Sequence, residues 1–215
     1  MNKMKKSFNA LAILAIIFVC ISFTNDKTHY VLIIGDSISI GYTPIVKDSL
    51  GASVYLENNR GNGGSTKRGR DSIEVWIGAR QWDVIVFNFG LHDMVHKDAD
   101  NKYDINGKVT VTPEEYRDNL NVIVSKLKET TAKLIFVTTT TVPEQSPGRR
   151  VEDPAIYNKV ALEVMKKNGI QVLDLYSKSL TVHPANSKPG NVHYTPEGYR
   201  LLALPIINAI RKQLK

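Results

Sequence analysis

Ser37 and His193 are the residues of this 215-residue chain whose types and settings point most directly to chemistry. In "VLIIGDSISIGY", residues 31–42, a run of apolar and β-branched residues stops at Gly35-Asp36-Ser37, and a helical pattern follows. A serine at such a strand-to-helix junction projects its hydroxyl from the rim of a sheet. Its N–H lies among the unpaired donors of the helix start, which favour negative charge. One residue then supplies both a nucleophile and part of an oxyanion hole. The competing reading is a serine that only caps the helix. His193 stands in "NVHYTPEGY", residues 191–199, just ahead of the last helical pattern. Thr195-Pro196 gives that helix a rigid start, from which the imidazole can reach back over the sheet to Ser37.

Two more loops carry suitable residues. "NNRGNGGSTKRG", residues 58–69, follows a strand-like run, and its glycines let backbone N–H groups approach a ligand closely. A dinucleotide fingerprint fails there, because Thr66 stands where the last glycine is needed, and no Walker pattern exists. "FNFGLHD" ends another strand-like run and brings Asn88, His92 and Asp93 to the same rim. "HDMVH", residues 92–96, approaches a zinc-protease motif. It follows a strand and Gly90 rather than lying on a helix, and aspartate replaces the longer glutamate, so no metal is assigned. His183 is a competing base, in the loop leading to His193. Trp76 and Trp82 read as core residues at a helix–strand joint.

The elements that must position these groups alternate. Tyr30–Ile34, Ser53–Leu56, Asp83–Phe89, Lys133–Thr139 and Ile170–Leu173 read as strands. The continuous hydrophobicity of "DVIVFNF" and "KLIFVTT" suits strands covered on both faces. Thr112-Pro113-Glu114-Glu115 is a capping box, followed by an apolar stripe of Tyr116, Leu120, Ile123 and Leu127. Asp153-Pro154 starts a further helix with Ile156, Val160 and Val164 inward and Gly169 at its end. Thr195-Pro196-Glu197 starts the last. Strand–helix alternation implies an α/β architecture, a parallel sheet with helices on both faces. The loops at the carboxyl ends of such strands build the site. Ser37, the 60–70 loop, the segment after Gly90 and the segment after Leu173 therefore share one rim.

Lys3, Lys5 and Lys6 precede an apolar run from Ala10 to Phe23, too short to span a bilayer comfortably and right for a signal segment. Residues 1–22 therefore read as a signal peptide, with an uncleaved anchor as the alternative, and residues 28–215 as one domain. The expected location is periplasmic or extracellular, with membrane attachment only through that segment. Cys20 is the single cysteine and falls inside it, so the mature chain forms no internal disulfide. The formal charge of +7 is partly the signal's own lysines. The remainder suits an anionic surface or substrate and falls short of a nucleic-acid signature. Arg60, Lys67, Arg68 and Arg70 lie in or beside the glycine loop, and Arg149-Arg150 follow the fourth strand. They form either a solvated face or, with Arg60 and Arg68 foremost, charge contacts for an anionic ester.

Taken in order, these segments resemble the SGNH hydrolase (GDSL-type lipase/esterase) family, from about Val31 to the C-terminus. "GDSIS" matches the nucleophile block, "NRGNGGST" the glycine block and "HYTPEGY" the terminal block. The resemblance implies a three-layer, flavodoxin-like α/β/α sandwich of about five parallel strands. It makes Ser37 the nucleophile, His193 the general base, and Ser37 and Gly64 the oxyanion donors. Two departures stand out. The family's third block carries asparagine where His92 stands, so a neutral imidazole N–H replaces the amide as third donor. The family's aspartate three residues before the histidine is replaced by Gly190, with Asn191 and Val192 filling the gap. A Ser–His dyad oriented by a backbone carbonyl is the first reading, and Asp174, at the end of the fifth strand, is the alternative acid. The function expected is an exported serine esterase acting on small acyl esters, acetyl foremost and plausibly on a carbohydrate, with no metal or organic cofactor. An O-acyltransferase with the same site, or a non-catalytic glycan-binding module, are the alternatives.

Overall fold

The computed structural model describes residues 28–215, and the expected signal segment and Cys20 lie outside the described residues. The chain runs through β1 (His29–Ile34), α1 (Ser37–Leu50), β2 (Val54–Asn58), α2 (Thr66–Ile77) and β3 (Val84–Phe87). A small antiparallel hairpin of β4 (His96–Lys97) and β5 (Lys108–Val109) follows, then α3 (Pro113–Lys128) and β6 (Lys133–Val137). The last third is α4 (Asp153–Asn168), β7 (Gln171–Leu173), α5 (Leu175–Asn186) and α6 (Pro196–Leu214). The sheet order is β2-β1-β3-β6-β7, every pair parallel. Helices α1, α5 and α6 pack together, and α2, α3 and α4 pack in sequence, giving the expected sandwich.

The central strands explain why helices must cover both faces. All four residues of β3 and the last four of β1 are at most 1 % exposed, so neither face alternates with polar residues. The α3 stripe meets this layer as expected: Tyr116, Leu120, Ile123 and Leu127 are buried, and the Thr112–Glu115 capping box closes in both directions. Helix α4 departs in phase. Ile156 is 45 % exposed, while Tyr157, Ala161 and Met165 join Val160 and Val164 inside. The Tyr157 hydroxyl donates to the Val111 carbonyl, which turns that tyrosine inward and rolls Ile156 to the surface.

The chain leaves β1 for β2 on one side and returns to β3 on the other. This reversal opens a crevice beyond the carboxyl ends of β1 and β3, where side chains from separate loops can meet. Ile34 pairs with Phe87, so the turn at Gly35-Asp36-Ser37 and the segment from Asn88 to His92 leave the sheet at one level.

Candidate active site

Each loop of the crevice is held by its own bonds. Asp36 caps α1, its Oδ1 accepting from the Ile38 N–H at 3.0 Å, and its side chain is 1 % exposed. Ser37 is thereby the first residue of α1, in the position the sequence assigns to a nucleophile. The glycine loop docks against this turn. The Gly63 N–H donates to the Gly35 carbonyl at 2.8 Å, and a Cβ at Gly63 would stand 2.6 Å from that oxygen, so only glycine allows the approach. Asp93 ties the third loop to the second, its Oδ1 accepting from both the N–H and the hydroxyl of Thr66 at the start of α2. The Asn119 amide donates to that same hydroxyl.

His193 comes from the far end of the chain and lies 2.8 Å, Nε2 to Ser37 Oγ. Its Nδ1 is 2.9 Å from Asn191 Oδ1, and the same oxygen accepts from the His193 backbone N–H at 2.9 Å. That second bond decides the tautomer. A backbone N–H can only donate, so the Asn191 side chain must present oxygen rather than nitrogen to residue 193. An oxygen acceptor requires the proton on Nδ1, which leaves the Nε2 lone pair facing the Ser37 hydroxyl. A neutral amide thus performs the orienting task usually given to a carboxylate.

The expectations for this task are corrected. Asp174 caps α5 instead, accepting from the Ser177 N–H and hydroxyl, and it makes no bond to His193. The Ser177 bonds, working against partial burial, hold its carboxyl below the usual range. Among the described residues no backbone carbonyl takes Nδ1 either. Gly190, at the family's acid position, has φ +67°, a left-handed conformation that an aspartate adopts only under strain. The signal for Asn191 was an Asx turn: an asparagine whose oxygen receives the N–H two residues on lies beside that residue's own side chain.

Further bonds hold Asn191. The His183 Nε2–H donates to the Asn191 carbonyl at 2.7 Å, which places His183 in the last turn of α5 as a buried support, not as a loop base. Val192 and Tyr194 are buried, and Thr195 caps α6 through the Gly198 N–H. His193 itself remains exposed between these anchors.

The three expected oxyanion donors differ in readiness. The Ser37 N–H belongs to the first turn of α1, where no intrahelical acceptor exists. The Gly64 N–H donates to Asn62 Oδ1 at 2.8 Å, an acceptor that a negatively charged oxygen would have to replace. His92 lines the same cavity as Ser37 and His193. Burial holds its ring below the ordinary imidazole range, opposed by the Asp36 charge and aided by Arg149, so it presents a neutral N–H. The cavity measures about 540 Å³, and none of its lining residues is acidic.

The remaining expectations divide. His96 lies 3.8 Å from Asp153, and no cluster of three metal-ligating side chains occurs among the described residues. Trp82 is core, with its Nε1–H on the Ile77 carbonyl. Arg60 lines a different groove, beside Trp76 and Trp82, and so does not line the Ser37 cavity. Arg68 is exposed alongside Gly64. Lys67 engages Glu115, and Arg70 engages Asp71 and Asn119. Arg149 alone among these cations lines the cavity.

A parallel α/β/α sandwich with a hydroxyl, an imidazole and helix-start amides at one crevice defines a serine-type acyl hydrolase. The chain belongs to the GDSL-like lipase/acylhydrolase family, whose profile matches residues 33–201. An arylesterase of Vibrio mimicus is 22% identical over 212 residues, covering 93% of this chain and 96% of that protein. The solved lipase/acylhydrolase of Enterococcus faecalis is 25% identical with a TM-score of 0.68, covering 86% of this chain and 96% of its own. Axe2, an acetylxylan esterase of Geobacillus stearothermophilus, is 20% identical with a TM-score of 0.70 over the same shares. The protein is an ester hydrolase of this family.

Proposed function

We propose that the protein is an exported esterase that removes small acyl groups, acetyl foremost, from a carbohydrate by a Ser37–His193 acyl-enzyme mechanism. Ser37 Oγ attacks the ester carbonyl as its proton passes to His193 Nε2. The tetrahedral oxyanion is met by the N–H groups of Ser37 and Gly64 and by His92. The imidazolium then gives its proton to the departing alcohol, and water activated by the same nitrogen clears the acyl-enzyme. The observation that carries this reading is the 2.8 Å approach of Ser37 Oγ to an imidazole nitrogen that Asn191 leaves unprotonated. The acetyl and carbohydrate parts rest on the acetylxylan esterase among the structural neighbours, and export rests on the basic-then-apolar N-terminus. The Asn191 partner of Nδ1 favours this reading over the non-catalytic glycan-binding module, which the absent acid and the His92 substitution motivated.

The test is a serine-directed phosphonate followed by peptide mapping, with hydrolysis of an aryl acetate measured beside it. Ser37 carries the label, and Ser37→Ala loses both label and turnover. An equal rate in the two proteins would reject the mechanism. Added sugar acceptor converting the product from acetate to a transferred acetyl ester would instead identify an acyltransferase.

A further inference from the structure

The cavity that Ser37 and His193 line also carries a cation with no anionic partner among the described residues. Arg149 lies in the β6–α4 connection, and its Nε–H donates to the Leu91 carbonyl at 2.7 Å, with a longer Nη1 contact of 3.4 Å to the Pro147 carbonyl. These bonds fix the plane of the guanidinium next to His92 and leave the rest of its five donors uncommitted. No carboxylate lies within ion-pair distance of it among the described residues, whereas Arg70, Arg117 and Arg200 do have one; what sets Arg149 apart from the other unpaired arginines is that it lines the cavity. Burial works against its charge, and the groups that oppose this are the Tyr103 hydroxyl and then Asp36, which is buried and already caps α1. Partial burial of an unpaired guanidinium is costly, and a bound anion would offset that cost.

Tyr103 lines the same cavity and is 60 % exposed. It belongs to the β4–β5 hairpin, which is bound to the Arg149 loop at two points. The His96 N–H donates to the Gly148 carbonyl at 2.6 Å, and Arg150 Nη2 donates to the Ile105 carbonyl at 3.0 Å. The hairpin thus holds the Tyr103 ring at the cavity near the guanidinium, with Lys97 Nζ 6.0 Å from its centroid on one face and the other face left for a ligand. An aromatic face of this kind accepts the apolar side of a pyranose ring, and the fork beside it accepts a carboxylate in two-point fashion.

We propose that Arg149 and Tyr103 form a subsite for an acidic sugar, so that the preferred substrate is an acyl ester whose alcohol portion is a uronic acid. The proposal rests on the esterase reading of Ser37. It assigns a substrate class through residues that take no part in the acyl transfer. Tyr103 carries the ring, and Arg149 takes the carboxylate, orienting the ester toward Ser37.

The experiment compares kcat/KM for the acetyl ester of a methyl glucuronoside with that for its uncharged methyl ester, in wild type and Arg149→Gln. Wild type is expected to favour the acid by about 10- to 100-fold, the range of a charge-assisted pair, and added salt to narrow the gap. Arg149→Gln is expected to abolish the preference, and Tyr103→Ala to raise KM for both sugar esters relative to an aryl acetate. Using ratios within one protein cancels any general loss from disturbing the Leu91 bond. A ratio that Arg149→Gln leaves unchanged overturns the proposal. A second pair, aryl hemisuccinate against aryl butyrate, checks the side of the ester bond. If Arg149 governs that ratio instead, the anion belongs to the acyl portion and the uronic-acid assignment is wrong. Wild type inactive on every ester, aryl acetate included, would sink the esterase reading instead. Calorimetric binding of free methyl glucuronoside to wild type and Arg149→Gln then decides the subsite alone, equal affinity overturning it.

Discussion

Replacing Asn191 tests the orienting role that the structure gives to a neutral amide. Asn191 Oδ1 receives two donors from residue 193, the backbone N–H and Nδ1–H, each at 2.9 Å. Asn191→Ala removes both and frees the imidazole to turn and to exchange tautomers. Two ordinary hydrogen bonds at about 1 kcal/mol each give a loss of about 2 kcal/mol, or roughly 30-fold in kcat. Asn191→Asp keeps the acceptor oxygen and adds a charge facing the imidazolium that forms during attack. Charge-assisted bonds are about twice as strong as neutral ones, which would add about 1 kcal/mol. Both residues are exposed, and solvent screening reduces the gain, so the expected rise in kcat is at most about 5-fold. Aryl acetate hydrolysis at saturating substrate measures both variants, with KM determined separately so that lost positioning is not mistaken for lost binding. Wild-type kcat in Asn191→Ala, or a slower enzyme in Asn191→Asp with its fold intact, would refute the argument.

Three other perturbations follow from the same geometry. His92→Ala should lower kcat by about 100-fold through loss of an oxyanion donor, while His92→Asn, which restores a neutral donor, should stay within about 10-fold of wild type. Burial pushes the Asp93 carboxyl up to about 7, against the Thr66 bonds that favour its charge. The folded protein therefore keeps that proton where the unfolded chain has lost it, and the residue's contribution to stability falls as pH rises from about 4 to about 7. Melting curves between pH 5 and 8 should accordingly show a flatter decline in Asp93→Asn than in wild type. Gly190→Asp, which copies the family's acid position, should cost about 1–2 kcal/mol in stability and give no gain in rate. Its φ is +67°, and a Cβ there stands 3.0 Å from the Gln145 carbonyl oxygen. Chemical denaturation and the aryl acetate assay together check both halves of that expectation.

Much of this molecule is written in local pattern. Continuous apolar runs, the Thr112–Glu115 capping box and the proline-led start of α6 announce a parallel sheet between helical layers, because each feature depends only on neighbours in the chain. Ser37 and His193 are legible for the same reason, since each sits at a helix start that its own sequence signals. The orienting amide was half legible: Asn-Val-His encodes the Asx turn, but only the approach of His193 to Ser37 gives that turn a chemical task. The phase of α4 depended on where β5 and the Val111 carbonyl came to rest, so Ile156 and Tyr157 exchanged places.

Tertiary structure alone decided which charges face the cavity. The sequence puts Arg60 and Arg68 ahead of Arg149 as substrate contacts, yet Arg60 lines another groove, Arg68 lies exposed beside Gly64, and Arg149 is the one that lines the cavity with His92. Asp174 was likewise available by position and is committed to the start of α5. Helix and strand formation are short-range and leave a periodic trace, whereas the direction of a long polar side chain is set by whichever carbonyl or carboxylate the fold happens to bring near. That partner can lie dozens of residues away, as Leu91 does from Arg149. No local pattern records it.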